Sequence, residues 1–141
     1  MLSAFLAPVL GAKSLTLIDS GDFAHKDVLR YSQSLYNFVQ KYPDADLPDD
    51  LLGCNNVDAM LSVVNGSYFT DGLLSLQKLQ SNYYDLIYSQ AVLEHIRLRD
   101  FQDTMKECYR LLSSNGIMSH VVDFKDHLGG GLNNMRFSSD L

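Results

Sequence analysis

Tyr84-Asp85-Leu86-Ile87-Tyr88-Ser89-Gln90-Ala91-Val92-Leu93-Glu94-His95 is the stretch on which the fold turns. Tyr84 to Tyr88 is a short apolar run of the kind a buried strand needs, and Ser89 to His95 reads as the passage from that strand into a helical turn. Downstream, Asp100 is expected to cap a helix whose apolar face is Phe101, Met105, Cys108, Leu111 and Leu112. Ser113-Ser114-Asn115-Gly116 should end that helix, and Ile117 to Val122 should form another strand. Upstream, Leu15-Thr16-Leu17-Ile18 reads as a buried strand closed by the polar turn Asp19-Ser20-Gly21-Asp22, and Tyr68-Phe69-Thr70 as a short strand. Two amphipathic helices lie between these strands, one with Val28, Tyr31, Leu35, Phe38 and Val39 on its face, the other with Val57, Met60, Leu61 and Val64. Strand and helix alternate without hairpin signals, which argues an α/β fold with a parallel sheet.

The chain has 141 residues, 46% hydrophobic and 20% charged, the proportions of a folded domain rather than of a disordered tail or a coiled coil. One domain over residues 1–141 is the expected organisation, with no internal repeat and no low-complexity segment. Eleven Lys and Arg against seventeen Asp and Glu leave a formal charge of −6, so nucleic acid is not an expected partner. Cys54 and Cys108 lie far apart and in no CxxC spacing, which reads as reduced thiols and a cytoplasmic location. The apolar opening from Met1 to Leu10 lacks a basic start and is too short to span a bilayer. It reads as the end of a core helix, and no membrane association is expected.

In an open parallel sheet, ligands bind beyond the carboxyl ends of the strands, so the residues that follow each strand carry the chemistry. Asp19 follows the first strand, where a carboxylate can accept both hydroxyls of a ribose or simply close a turn. Ser89 and Gln90 offer a hydroxyl and an amide, and the next turn adds Glu94-His95, either a base with its orienting partner, half of a metal site, or a structurally bonded histidine. His120, Asp123, Asp126 and His127 cluster after the last strand, a composition suited to proton transfer, polar lining or a divalent ion. Strand alternation points His120 and Asp123 to opposite faces, which speaks against one shared ion. Asp44, Asp46, Asp49 and Asp50 crowd around Pro43 and Pro48 and read as a solvated loop and helix start rather than a cation site.

Three of these segments, YDLIYSQAVLEH, YRLLSSNGI and MSHVVDFKDH, together resemble the second half of class I S-adenosylmethionine-dependent methyltransferases. The resemblance covers about Leu10 to Phe137, although residues 22 to 75 match only in pattern. It implies a partial Rossmann-like, doubly wound parallel sheet that lacks the family's first strand and its last strands. It also implies S-adenosylmethionine as methyl donor, with Asp19 and Ser20 at its ribose and Ser89, Gln90 and Ala91 lining its methionine end. His95, His120 and Asp123 are then the candidates for acid–base work. Methyl transfer needs no metal, and Ala91 stands where metal-binding relatives carry their first glutamate, so no metal is expected.

Departures from the pattern are as informative. Asn115-Gly116 replaces two glycines, no firm acidic residue follows Tyr68 to hold the adenine, and no GxGxG occurs anywhere. In the family that glycine loop precedes the segment matched here, so the chain is expected to be a fragment of a longer methyltransferase. The tail, with its NNMRFS, looks like a bacterial subgroup associated with glycan biosynthesis, which implies a small-molecule, sugar or glycan acceptor. The competing reading is a non-catalytic remnant that serves as a binding or oligomerisation module, pairing with itself through an exposed sheet edge. A nicotinamide-dependent dehydrogenase ranks last, because it too requires the glycine fingerprint.

Overall fold

The computed structural model, which describes residues 2–24 and 26–125, sorts into two units, one ending at Ser75 and the next beginning at Leu76. Asp126 and His127, named above for the histidine–carboxylate cluster, lie outside the described residues, as does the NNMRFS tail.

In the first unit the opening segment folds as expected. α1 (Leu2–Leu6) passes into a 3₁₀ turn at Ala7–Leu10, and Gly11 closes it at φ +86°, a conformation that favours glycine. Phe5 is fully buried and meets Tyr31 edge to face at 5.2 Å. α2 (Val28–Lys41) starts at Asp27, whose carboxylate accepts the Arg30 N–H at 3.2 Å; α3 (Val57–Val63) starts at Asn56, which accepts the Ala59 N–H at 2.7 Å. Their apolar faces meet in a core of Phe5, Tyr31, Leu35, Leu51, Met60, Leu61 and Val64. Against this core pack Leu15 and Leu17 of β1 (Leu15–Ile18) and Tyr68 of β2 (Gly66–Phe69). The two strands are parallel, in a register that sets Leu15 beside Gly66 and Ile18 beside Phe69.

The second unit holds another parallel pair, β3 (Tyr84–Gln90) and β4 (Leu112–Val121), joined by α5 (Leu98–Leu111). α4 (Leu73–Lys78), which the sequence reading did not anticipate, runs across the division between units. Within the second unit, Arg110 of α5 donates to the carbonyls of Leu76 and Leu79, both at 3.0 Å, satisfying groups that a helix end leaves free. In the doubly wound order 3-2-1-4-5-6 the second strand pairs with the third and the fourth with the fifth. β1–β2 and β3–β4 are those two pairings in the numbering that the resemblance implies, so the mixed α/β architecture with parallel strands is the one expected.

Three local expectations need correction. β3 runs to Gln90, so Ser89 and Gln90 belong to the strand and not to the turn after it. Asp100 does not cap α5; Arg97 takes that position without a side-chain bond, and Asp100 sits in the first turn, where a carboxylate favours the helix dipole. The helix ends at Leu111, and Ser113 to Gly116 are not a loop but a bulge inside β4, where the register passes from Tyr84↔Leu112 to Leu86↔Ile117. A Cβ at Gly116 would stand 2.7 Å from the Tyr84 carbonyl oxygen, which explains a glycine at the bulge's tightest approach.

Candidate functional site

At the end of β1 the main chain of Asp19 is held from both sides by the end of β2. Its N–H donates to the Phe69 carbonyl at 2.9 Å, and its own carbonyl accepts the Gly72 N–H at 2.8 Å. Gly72 adopts φ +53°, the left-handed region in which a side chain is strained. This lacing fixes the half-buried Asp19 carboxylate at the carboxyl edge of the pair, with Thr70 and Asp71 following the neighbouring strand. Oδ1 accepts the Ser20 N–H at 2.8 Å, and Oδ2 lies 3.4 Å from the Tyr68 hydroxyl. A carboxylate has about four acceptor positions, so the Ser20 bond and the longer approach of Tyr68 leave room for two further hydroxyls. These acceptor positions fit the paired hydroxyls of a ribose. Ser20 is exposed beside it.

At the end of β3 the register sets Ser89 opposite His120, and their side chains meet: Ser89 Oγ and His120 Nδ1 are 2.8 Å apart. His120 Nε2 is closed off from solvent without a hydrogen-bond partner among the described residues, as is Glu94 Oε2. Glu94 Oε1 accepts the Asp123 N–H at 3.3 Å, tying the turn after β3 to the end of β4. Gln90 and Ala91 are exposed, and the Ala91 N–H is taken by the Val121 carbonyl at 2.8 Å. Ala91 itself stands at φ +52°, a costly conformation for a residue with a Cβ. Strain of that kind persists where the surrounding structure enforces it, and it is over-represented at ligand sites.

The remaining nominated residues are placed less tightly. His95 ends the 3₁₀ turn Leu93–His95 and is exposed. Asp123 lies just beyond β4, also exposed, and its carboxylate accepts the Lys125 N–H at 2.9 Å, which turns it toward its own loop. Among the described residues, no three His, Cys, Asp or Glu side chains come together in a group able to hold a metal. An open groove along α3 and β2, lined in part by Asp58, Ser62, Ser67 and Phe69, includes none of the residues nominated from the sequence.

A family model described as a methyltransferase domain matches residues 37–119, more than half of the chain. The chain belongs to the methyltransferase domain family. No curated protein and no solved structure matches it. The match to the methyltransferase domain starts inside α2 and ends within β4, so Ser89, Gln90, Ala91 and His95 fall within it. Asp19, Ser20, His120 and Asp123 fall outside it. The sequence reading missed the Ser89–His120 contact and the strain at Ala91. The first follows from pairing register, which a single sequence does not display, and the second from a backbone angle that an alanine does not announce.

No described helix is long and apolar enough to cross a membrane. Both cysteines are free thiols; Cys108 is buried, and burial pushes its thiol pKa up, while Cys54 is half-buried.

Proposed function

We propose that the chain is an S-adenosylmethionine-dependent methyltransferase that acts in the cytoplasm on a small-molecule acceptor, a sugar or glycan precursor. The observation that carries this reading is the Asp19 carboxylate, held at the end of β1 by backbone bonds to Phe69 and Gly72, with acceptor positions left over. Its two oxygens accept the hydroxyls of the donor's ribose, with Ser20 next to it. By the family resemblance, Ser89, Gln90 and Ala91 are the residues for the donor's methionine end. When bound, the donor supplies a sulfonium-activated methyl group. The protein's own contribution is chiefly to hold the reacting groups in line and to take up the acceptor's proton. His120 is one candidate base, its imidazole fixed at the end of the strand pair by the bond to Ser89, with Nε2 closed off from bulk water. His95 and Asp123 are the other two candidates for proton transfer.

A second reading, a methyltransferase-like module that binds partners without catalysis, is favoured by one feature. Leu86, Tyr88, Ile117 and Val121 all lie on the same face of the β3–β4 pair and are each more than half exposed, from 53% at Tyr88 to 65% at Ile117. Transfer of labelled methyl from S-adenosylmethionine to a panel of free sugars and sugar nucleotides separates the two. Label in the sugar fraction, lost in His120→Ala, supports the enzyme. No label with any acceptor, from a chain that binds the donor, supports the module.

A further inference from the structure

The Tyr68 hydroxyl touches the segment after β1 at three points. It accepts the Ala24 N–H at 3.3 Å, lies 3.1 Å from the Gly21 carbonyl oxygen and lies 3.4 Å from Asp19 Oδ2. A phenol has one proton to donate. The Gly21 carbonyl is the nearer acceptor, so the proton goes there and Asp19 Oδ2 keeps its lone pairs. The same carbonyl also accepts the Phe23 N–H at 2.9 Å, and a Cβ on Gly21 would press to 2.7 Å from the Phe23 ring, so the loop closes tightly around this point. The ring of Tyr68 is anchored on the other side by packing against the core. Tyr68 is on β2, beside Leu17 of β1, so a rigid element reaches across to fix a loop on its neighbour.

We infer that Tyr68 is a positioning residue for donor binding, its hydroxyl holding the Asp19–Ala24 loop so that the Asp19 carboxylate faces the ribose. This rests on the methyltransferase reading above. Nothing in the family match assigns the residue a role. Among the described residues, the hydrogen bonds of the hydroxyl go to the loop that carries Asp19.

The test is a double-mutant cycle on the full chain, with S-adenosylhomocysteine as the probe and calorimetry as the readout. Tyr68→Phe removes the hydroxyl alone and should weaken binding about tenfold, the range expected when a hydrogen-bonding group near a charge is lost. Asp19→Ala should weaken it further, and Tyr68→Phe in that background should add nothing, because the positioned carboxylate is already gone. Unchanged affinity in Tyr68→Phe, or losses that simply multiply in the double variant, would overturn the inference and leave the function standing. No binding by the unaltered chain would overturn the function and this inference with it. Should Tyr68→Phe not fold, tyrosine labelled with ¹³C at the ring carbon bearing the hydroxyl gives the same answer in the unaltered chain. The Tyr68 resonance should shift on saturation with the probe, and a resonance that stays in place would refute the positioning role.

Discussion

Ser89 Oγ on β3 and His120 Nδ1 on β4 lie 2.8 Å apart, a side-chain bond between residues placed opposite each other by the strand register. It ties a position inside the matched methyltransferase domain to one just past its end. Removing one partner leaves the other's part-buried polar atom unpaired, which costs more than losing both. Ser89→Ala should destabilise the chain by about 1–2 kcal/mol in urea unfolding. In a His120→Leu background the same substitution should cost well under half as much, because no imidazole nitrogen is left without a partner.

The core of the first unit depends on side chains with no exposure at all. Leu35 on α2 is one of them, packed in a cluster with Phe5 and Met60. Leu35→Ala should lower stability by about 2–5 kcal/mol, the transfer energy of the lost groups plus the cavity they leave. Denaturant midpoints report it directly, and Leu35→Met, close in volume, should cost less than about 1.5 kcal/mol.

Burial pushes the phenol pKa of both Tyr31 and Tyr68 above the ordinary value of 10.0, and at Tyr68 the neighbouring Asp19 charge adds to the effect. Neutral phenols are thus favoured in the folded chain. Their contribution is complete below pH 10, where both folded and unfolded forms are protonated, and declines as pH rises through the raised folded values. Stability should therefore fall above pH 10. In an ultraviolet titration, Tyr31 and Tyr68 should ionise late, and Tyr68→Phe should remove one of these late steps.

Ala91 at φ +52° predicts a substitution that helps rather than harms. A left-handed alanine costs about 1–2 kcal/mol, and glycine removes that strain while losing about 0.5–1 kcal/mol of chain entropy. Ala91→Gly should raise stability by about 0.5–1 kcal/mol. Ala91→Val, whose branched side chain fits this region worse, should lower it. Paired thermal and urea unfolding curves distinguish the three chains.

How much of this was legible in the sequence depended on whether the signal was local. Helices α2 and α3 followed from apolar spacing, whereas their caps at Asp27 and Asn56 emerged only from the structure; β1 and β3 followed from short apolar runs closed by polar residues. Asp19 could be named because a strand-end carboxylate is a local feature. Ser113–Gly116 reads as the end of the helix and not as part of β4, since Ser-Ser-Asn-Gly has the composition of a turn and only the pairing with Tyr84 makes it part of a strand. α4 escaped notice because six residues carry too little periodicity to stand out. The bonds that organise the site, Tyr68 to the Asp19 loop and Ser89 to His120, span 44 to 49 and 31 residues and depend on register, which a single chain's pattern leaves open.

Equilibrium dialysis of radiolabelled S-adenosylmethionine against the full chain, with unlabelled S-adenosylhomocysteine as competitor and Asp19→Ala in parallel, tests the central claim most directly. Saturable retention, displaced by the competitor and reduced at least tenfold in affinity by the substitution, is the predicted result. No retention by the folded chain, or retention indifferent to Asp19, would contradict it.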